Sequence, residues 1–495
     1  MDGNIFFHTD IARDFLLMED IVDNKHPTLI GPRSGAIPGL FHGPLWLYFN
    51  LPAFWVGNGD PVYVGWFWVF LYILSIIIIY YVGKKMFGEK EGLFSALLLS
   101  SVTILQIRSL FNPYGALLLS PLYLYLFVSY LKTKSLKTLI IALFLLGIII
   151  QFQMAFGVPI LFLTMIYLLY YLYKNKILSH LVSFFVLLIP LSSFLLFDLR
   201  NKFLQVKSVV SYLVGTQTHG KLESNLFQLV GIRIKESIFD GLGIITQNSF
   251  YPTLLILVVF IFGIYLIYKK NNPKTLPVYT ACIFFYLGFW FLTIFFKGPV
   301  WNYYYLPFIP LLILIFVSFR KYINSFFFFT IFFMIYAVNM YAAIQDLKTY
   351  NSDPSGQDVS TWKFNKLVSE TIFAGGEENF GYFIFTPDLY GYSPRYAIDL
   401  YQKRFKDKKV KPYEKSAITY LVIAPPPYYG KDPNSVWYQK NTNSAIWKSN
   451  DIRITSDPIS VTTFNNGFII EKYNLSDEEI KVESNPYLIK DIFFR

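Results

Sequence analysis

The chain has 495 residues, of which 54% are hydrophobic and only 15% charged, whereas about a quarter of the residues in soluble domains are charged. Its 43 basic and 32 acidic residues leave a formal net charge of +11, and it has one cysteine. These values exclude a disordered chain, a collagen-like repeat and a small disulfide scaffold. The apolar residues form unbroken runs, such as 69–82 and 253–268, that are too long for amphipathic helices. The sequence therefore predicts a polytopic membrane protein.

Ten membrane-spanning helices are predicted from these runs. In chain order they cover residues 62–83, 92–109, 114–131, 136–151, 154–173, 180–197, 251–268, 277–296, 303–318 and 323–345. The links after the first, third, fifth, seventh and ninth helices are short and basic, which by the positive-inside rule places them in the cytoplasm. This topology accounts for the positive net charge, so no nucleic-acid partner is expected.

Three parts of the chain follow from this topology. Residues 1–61 form a first loop on the outer face, residues 62–345 form the transmembrane domain with an outer loop at 198–250, and residues 346–495 form a small outer-face domain. The expected location is the plasma membrane, with the C-terminal domain extracytoplasmic. The predicted fold class is an α-helical polytopic membrane protein with a small C-terminal α/β domain.

The first loop raises a question of topology, because no spanning segment precedes it. Residues 11–22 are too short and too acidic to cross a membrane. Either the following helix translocates the N-terminal segment, or an upstream helix is missing from this chain. We favour the missing helix.

The polar tail is expected to fold as an α/β domain. Its predicted elements are helices at 358–373 and 394–404, buried strands at 381–386 and 417–424, and a hairpin of 459–464 with 468–473 around Asn466-Gly467.

Charged, aromatic and amide residues in the outer segments are the candidates for chemistry, and the charged ones come first because charge is costly near a membrane. They are Asp10, Arg13 and Asp14 in the first loop, Arg33 and His42 in a Gly/Pro-rich aromatic stretch, Asn112 in the second outer loop, Arg200 and Lys202 after the sixth helix, and Trp301 and Asn302 before the ninth. Structural roles stay open for all of them. Asp10 and Arg13 suit a surface ion pair, Arg200 and Lys202 suit headgroup anchors, and Trp301 suits an interfacial aromatic belt.

Motifs for nucleotide or metal binding are absent from the sequence. No GxxxxGK[ST] loop and no clustered Cys/His spacing occurs. An ATP-driven pump and a zinc site are therefore unsupported.

The order and spacing of the candidates resemble a known class of enzymes. An acidic D-x-x-R box at Asp10 and Arg13 is followed about thirty residues later by the stretch PLWLY (44–48), and then by Asn112-Pro113. This pattern resembles the GT-C class of membrane glycosyltransferases, in the branch of protein O-mannosyltransferases and bacterial aminoarabinose transferases. The resemblance is most specific in residues 8–61 and rests mainly on hydropathy elsewhere.

The resemblance implies transfer of a sugar from a polyprenyl-phosphate-linked donor to an acceptor hydroxyl on the outer face. The acceptor would be a protein, a lipid or a glycan, and membrane lipids would surround the chain. Asp10 takes the catalytic position with Asp14 as a helper. Candidate substrate contacts are Arg13, Arg33, His42, Asn112, Arg200, Lys202, Trp301 and Asn302. Attack in line with the leaving phosphate would invert the anomeric carbon.

Two departures from the family pattern bear on this reading. His42-Gly43-Pro44 stands where the family often has Lys-Pro-Pro, and a histidine is charged only part of the time near pH 7. Asn112 stands where some members carry an acidic residue, which weakens a metal-dependent mechanism. No cofactor is required, and a divalent cation stays possible.

Two other functions remain as alternatives. A secondary transporter or lipid flippase would carry charges at the bilayer midplane and internal repeats, whereas this chain has its charges at helix ends and shows no repeat. A polysaccharide polymerase or ligase would typically carry a large outer loop between late helices, and here the longest inter-helix segment is 198–250.

Overall fold

The computed structural model describes residues 3–34, 37–109, 111–214, 225–270, 276–296, 298–386, 390–425, 443–486 and 488. The chain divides into two compact units. The sheet unit comprises Met1–His26, Leu51–Trp66 and Asp346–Arg495. The membrane unit comprises Pro27–Asn50 and Phe67–Gln345.

Helices dominate both units. The α-helices of the described residues are α1 (Thr9–Asp23), α2 (Leu45–Val56), α3 (Pro61–Met86), α4 (Glu89–Thr103), α5 (Asn112–Thr133), α6 (Leu136–Phe152), α7 (Met154–Asn175), α8 (Ser192–Arg200), α9 (Leu204–Val214), α10 (Leu226–Glu236), α11 (Phe250–Lys270), α12 (Leu276–Thr293), α13 (Ile309–Ser318), α14 (Ser325–Tyr350), α15 (Trp362–Phe373), α16 (Tyr392–Arg404), α17 (Ser444–Ile446) and α18 (Asp477–Lys481). The strands are β1 (Asn379–Phe385), β2 (Lys409–Pro412), β3 (Ile418–Ile423), β4 (Ser460–Thr463) and β5 (Ile469–Asn474).

Eight helical segments of the described chain are long and apolar enough to cross a membrane. They are Pro61–Met86, Glu89–Arg108, Asn112–Thr133, Met154–Asn175, Phe250–Lys270, Leu276–Thr293, Asn302–Lys321 and Ser325–Tyr350. Each overlaps one of the predicted spans. The chain is a multi-pass membrane protein.

The other two predicted spans take a different form. The span expected at 180–197 is a pair of helices, Leu178–Leu188 and Ser192–Arg200, bent by 64°. Pro190 lies in the break, where its ring and missing N–H interrupt helical hydrogen bonding. Helix α6 has 17 residues, which span about 25 Å at the helical rise, less than the hydrocarbon core of about 30 Å.

Close packing where α3 crosses α4 depends on small residues, and a buried ion pair lies nearby. A Cβ on Gly83 of α3 would lie 2.9 Å from Gly92 Cα of α4, so only glycine permits this approach. Near the same crossing Glu91 is buried and accepts hydrogen bonds from Arg320 Nε and Nη2 at 3.1 and 2.6 Å. The ion pair joins α4 to the turn that follows α13.

The sheet unit contains the small α/β domain that the sequence predicts. Its sheet has the order β2-β1-β3-β5-β4, with β1 parallel to β2 and β3, and β5 antiparallel to β3 and β4. The predicted hairpin is present: Phe464 N donates to Phe468 O at 2.9 Å, and Gly467 has φ +83°. Strand β2 is absent from the prediction, because only one of its four side chains is buried and no alternation marks it.

The first residues of the chain are part of the sheet unit. Trp362 N donates to Ile5 O at 2.9 Å and Phe7 N donates to Ser360 O at 2.5 Å. The Phe7 ring packs 5.0 Å from Trp362 and 5.5 Å from Tyr396. Helix α1, which follows directly, is thereby fixed in this unit. The stretch 1–61 contributes to both units, and the three-part division of the chain stays a prediction.

Candidate functional site

The acidic box lies in the first two turns of α1. His8 is the N-cap, and its Nδ1 accepts a hydrogen bond from Asp10 N at 3.2 Å. A carboxylate in the first turn is stabilised by the free N–H groups and by the helix dipole. Side chains three and four positions apart are neighbours on a helix. The local sequence therefore brings Asp10, Arg13 and Asp14 together.

Arg13 bridges the two carboxylates. Its Nη1 donates to Asp10 Oδ1 at 2.6 Å, while its Nε and Nη2 donate to Asp14 Oδ1 at 3.2 and 3.1 Å. The Arg13 side chain is only 11% exposed. This is more than a solvated surface pair, because the guanidinium is fixed by both carboxylates and holds Asp10 in one orientation.

The two carboxylates differ in access to solvent. The Asp10 side chain is 39% exposed and that of Asp14 only 4%. Asp14 Oδ2 is buried and has no hydrogen-bond partner among the described residues. Burial raises the pKa of Asp14 to about 6, although Arg13 opposes the shift. Asp10 is thus the carboxylate that a ligand can reach, and Asp14 sits where it orients Arg13.

The basic loop of the membrane unit, whose described residues are 31–34 and 37–43, contains a short antiparallel pairing. Arg33 pairs with Phe41, His42 N donates to Pro32 O at 2.8 Å, and Gly31 N donates to His42 O at 2.8 Å. His42 is partly buried, whereas Arg33 is exposed. The backbone pairing keeps both residues on one compact loop.

The α8–α9 junction, residues 198–205, holds the basic loop in place. The Asp198 carboxylate is buried and accepts hydrogen bonds from Gln205 N at 2.9 Å and Val206 N at 3.3 Å, which caps α9. Gln205 Oε1 then accepts from Phe41 N at 3.1 Å. Arg200 lies in this junction with an exposed side chain.

Lys202 is also exposed in this junction. The structure therefore joins the segments that carry Arg33, His42, Arg200 and Lys202, four of the predicted phosphate contacts. The hydrogen bonds of Asp198 and Gln205 hold these segments together. In the sequence, Asp198 is recognisable only as a polar residue before a helix. Its connection through Gln205 to Phe41 is visible only in the structure.

An apolar cavity of about 280 Å³ opens beside this loop within the membrane unit. Most of its lining is aliphatic or aromatic, while His42, Ser34, Thr293 and Tyr304 supply polar groups. Such a lining suits a hydrocarbon chain next to a polar head. The predicted residue His42 borders the cavity, but Trp301 and Asn302 do not.

The buried Arg233 supports the segment after α12, which lines this cavity through Thr293 and Phe296. Its Nε donates to Thr293 O at 3.1 Å, and its Nη2 donates to Phe296 O at 2.8 Å and Gly298 O at 2.7 Å. It thus binds carbonyls at the C-terminal end of α12 and just after it, where a cation is favoured. Sequence reasoning missed Arg233, because these acceptors lie about sixty residues away along the chain.

Asn112, Trp301 and Asn302 lie apart from this loop. Asn112 is buried, and its Nδ2 donates to Phe152 O at 2.8 Å and Gln153 Oε1 at 3.1 Å, which joins α5 to the α6–α7 break. Trp301 is 50% exposed and stacks 6.3 Å from Tyr303, as in an interfacial belt. Their predicted contacts with substrate stay predictions.

A metal site is not evident in the part of the chain that the structure describes, since no group of three or more His, Cys, Asp or Glu side chains there could hold an ion. The described residues therefore offer no ligand set for the divalent cation that the sequence leaves possible.

Comparison with known proteins gives one match to a family model and several to solved structures. The model of the dolichyl-phosphate-mannose-protein mannosyltransferase family matches residues 42–197. Curated protein sequences gave no match. The crystal structure of ArnT from Cupriavidus metallidurans in the apo state matches with TM-score 0.54 and 9% identity, over 96% of this chain and 94% of that chain. ArnT bound to undecaprenyl phosphate matches with TM-score 0.55 and 10% identity, over 96% and 95%.

The chain has the fold of ArnT. The resemblance to the GT-C class is thereby confirmed at the level of fold, and so is the predicted fold class. The family match begins at His42, after the acidic box, and covers the end of the stretch 8–61 together with the helices up to residue 197. The similarity to the family thus extends into the helices, where the sequence alone offers mainly hydropathy.

Proposed function

We propose that the chain is an integral-membrane glycosyltransferase that uses a polyprenyl-phosphate-linked sugar. The acceptor is a hydroxyl group of a protein, lipid or glycan on the outer face of the plasma membrane. The observation that carries the proposal is the accessible Asp10 carboxylate, held by the nearly buried Arg13 in a chain of the ArnT fold.

Asp10 is the residue that activates the acceptor hydroxyl. A hydroxyl is a poor nucleophile and needs a carboxylate within hydrogen-bond reach to take its proton. Arg13 orients this carboxylate at 2.6 Å, and Asp14 holds Arg13 from its other side. As the proton moves to Asp10, the acceptor oxygen forms a bond to the anomeric carbon. The bond from that carbon to the phosphate oxygen breaks, and its electron pair leaves with the polyprenyl phosphate. Attack from the side opposite the phosphate inverts the configuration.

The basic loop and the apolar cavity bind the lipid-linked sugar donor. An apolar cavity of about 280 Å³ suits a segment of a prenyl chain. The leaving phosphate gains negative charge, which cationic and hydrogen-bond donors stabilise. Arg33, Arg200 and Lys202 are exposed cations on the joined segments, and His42 is the donor that borders the cavity. The ArnT structure that contains undecaprenyl phosphate supports a polyprenyl-phosphate donor.

Asp10→Asn tests the proposal, with Asp20→Asn on the same helix as the matched control. The measurement is a mass-spectrometric lipid profile of cells that express the full-length gene. We expect a polyprenyl-phosphate sugar to accumulate in cells with Asp10→Asn, and not in cells with the wild type or Asp20→Asn, at equal membrane expression. Identical profiles in a host that contains the acceptor would contradict the transferase and make the transporter the next candidate.

A further inference from the structure

A separate cleft of about 540 Å³ lies in the sheet unit, and no residue of the acidic box lines it. Trp66 and Val62 of α3 form one side. Lys363, Lys366 and Glu370 of α15, with Arg404 of α16 and Asp60, contribute the charged side chains of its lining. The cleft thus combines aromatic and charged side chains in its lining.

Two candidate membrane spans end at this cleft. Trp66 and Val62 belong to the first two turns of the span Pro61–Met86. The span Ser325–Tyr350 ends at Tyr350, whose carbonyl oxygen accepts a weak hydrogen bond from Lys363 Nζ at 3.5 Å. Because the ends of membrane spans lie near the lipid headgroups, we expect the headgroups at the level of this cleft.

Exposed aromatic rings mark the same level. Trp66 is 57% exposed, Tyr63 is 53% exposed and Trp55 is 69% exposed. Large aromatic side chains are costly in water, but they are favoured at the boundary between hydrocarbon and headgroups. These three rings therefore fit a membrane surface that reaches the cleft.

Among the described residues that line the cleft, the charges leave one cation in excess. Arg404 Nη2 lies 2.9 Å from Asp60 Oδ2, and Lys366 Nζ lies 3.6 Å from Glu370 Oε1. Glu370 Oε1 also accepts from the Tyr401 hydroxyl at 2.7 Å. Lys363 has no carboxylate partner among the described residues, and its single hydrogen bond is the long one to Tyr350. The cleft is thus suited to one added negative charge.

We propose that this cleft binds the phosphate headgroup of an anionic phospholipid, with Lys363 as its main cation and the Trp66 ring beside its glycerol and ester groups. The site anchors the sheet unit to the membrane surface. It does not depend on the proposed transferase activity, so either proposal can fail alone. A neutral saccharide also suits an aromatic ring beside carboxylates, but it gives no role to the excess cation.

Lys363→Gln tests the site by native mass spectrometry of the purified full-length protein in detergent. Lys481→Gln, an exposed lysine on α18 of the same unit, is the matched control. The probes are phosphatidylglycerol and phosphatidylcholine with identical acyl chains, together with glycerol 3-phosphate and maltotriose as soluble probes.

We expect the tightest-bound lipid of the wild type to be phosphatidylglycerol. Lys363→Gln should weaken its affinity about fivefold, the effect of one lysine at a membrane surface. The Lys363→Gln, Lys366→Gln double variant should weaken it further, and Lys481→Gln should leave it unchanged. Salt at high concentration should reduce the preference for phosphatidylglycerol.

Three results would overturn the proposal. One is equal affinity of the wild type for the two lipids, and another is an unchanged affinity for phosphatidylglycerol in Lys363→Gln. The third is displacement of the lipid by glycerol 3-phosphate or maltotriose at similar concentration, which would assign the cleft to a soluble phosphate or a saccharide. Unchanged circular dichroism of Lys363→Gln ensures that a loss of affinity is not a loss of folding.

Discussion

Glu19→Gln probes the charged cluster that joins α1 to α16 in the sheet unit. Lys403 Nζ lies 2.5 Å from Glu19 Oε1 and 2.6 Å from Asp23 Oδ2. The Glu19 side chain is only 13% exposed. Burial, and then repulsion by Asp399, raise the pKa of Glu19 from 4.5 to about 7, while Lys403 opposes the shift. Arg395 lies 3.8 Å from Asp399 and completes the cluster.

The sign of the effect follows from linkage between proton binding and folding. Because the pKa of Glu19 is higher in the folded than in the unfolded state, the folded state binds the proton more tightly. The stability contributed by the protonated form is complete below pH 4.5 and is lost as the pH rises to about 7. The loss amounts to at most about 3 kcal/mol. Glutamine keeps the shape of the side chain without the charge, but its amide does not reproduce every hydrogen bond of the protonated carboxyl group. We therefore expect Glu19→Gln to be about 1 to 2 kcal/mol more stable than the wild type at pH 8, and this difference to fall below about 1 kcal/mol at pH 5.

Hydrogen exchange of the full-length protein in micelles measures this difference. The free energy of opening is read from peptides of α1 and α16 between pH 5 and pH 8, after correction for intrinsic exchange rates. Glu478→Gln, on the exposed helix α18, is the control and should change nothing. A destabilised Glu19→Gln at pH 8 would refute the reasoning, because the ion pair with Lys403 would then outweigh the cost of burying the charge.

Three further substitutions test the candidate site. Asp198→Ala should destabilise the start of α9 by about 1 kcal/mol and weaken donor binding, because it removes the acceptor for Gln205 N at 2.9 Å; thermal unfolding and donor KM measure the two effects. Gly39→Val should raise the donor KM more than it lowers kcat, since Gly39 has φ +80° and a Cβ there would lie 2.3 Å from Ser208 Oγ; an unchanged KM would contradict a role of the loop in donor binding. Asp14→Asn should lower kcat and remove the change in activity with pH that is expected near pH 6, because burial raises the pKa of Asp14 to about 6. A pH profile of kcat that still changes near pH 6 would assign this titration to another group.

The sequence predicts the helices of the membrane unit well, since composition and length alone decide them. All ten predicted spans contain a helix, and every predicted element of the small domain is present. The bend at Pro190 and the short helix α6 differ from straight full-length spans. Both depend on how a helix packs against its neighbours, which a hydropathy average does not contain.

The candidate site is predicted only where its residues are close along the chain. Asp10, Arg13 and Asp14 share a helix face, so their spacing already implies contact. Gln205, which Asp198 holds, accepts a hydrogen bond from the backbone of Phe41, more than 150 residues earlier. No local sequence pattern predicts this contact. Arg233 is a second example. In the sequence it stands in a basic helical stretch and is expected to be solvated, whereas the structure buries it against distant backbone carbonyls.

Helix α1 links the two charge clusters of the sheet unit. Asp10 and Arg13 lie near its start, where the carboxylate is accessible, and Glu19 and Asp23 lie near its end, where Lys403 of α16 binds both. A general base needs a fixed position, because misplacement by about 1 Å can cost about a hundredfold in rate. The Phe7 ring against Trp362 and Tyr396 fixes the segment before α1, and the Lys403 cluster fixes the helix end. Lys403→Ala, which removes the residue that binds both carboxylates, should therefore lower kcat at an unchanged pH optimum. Loss of Asp14 should instead alter the pH profile itself.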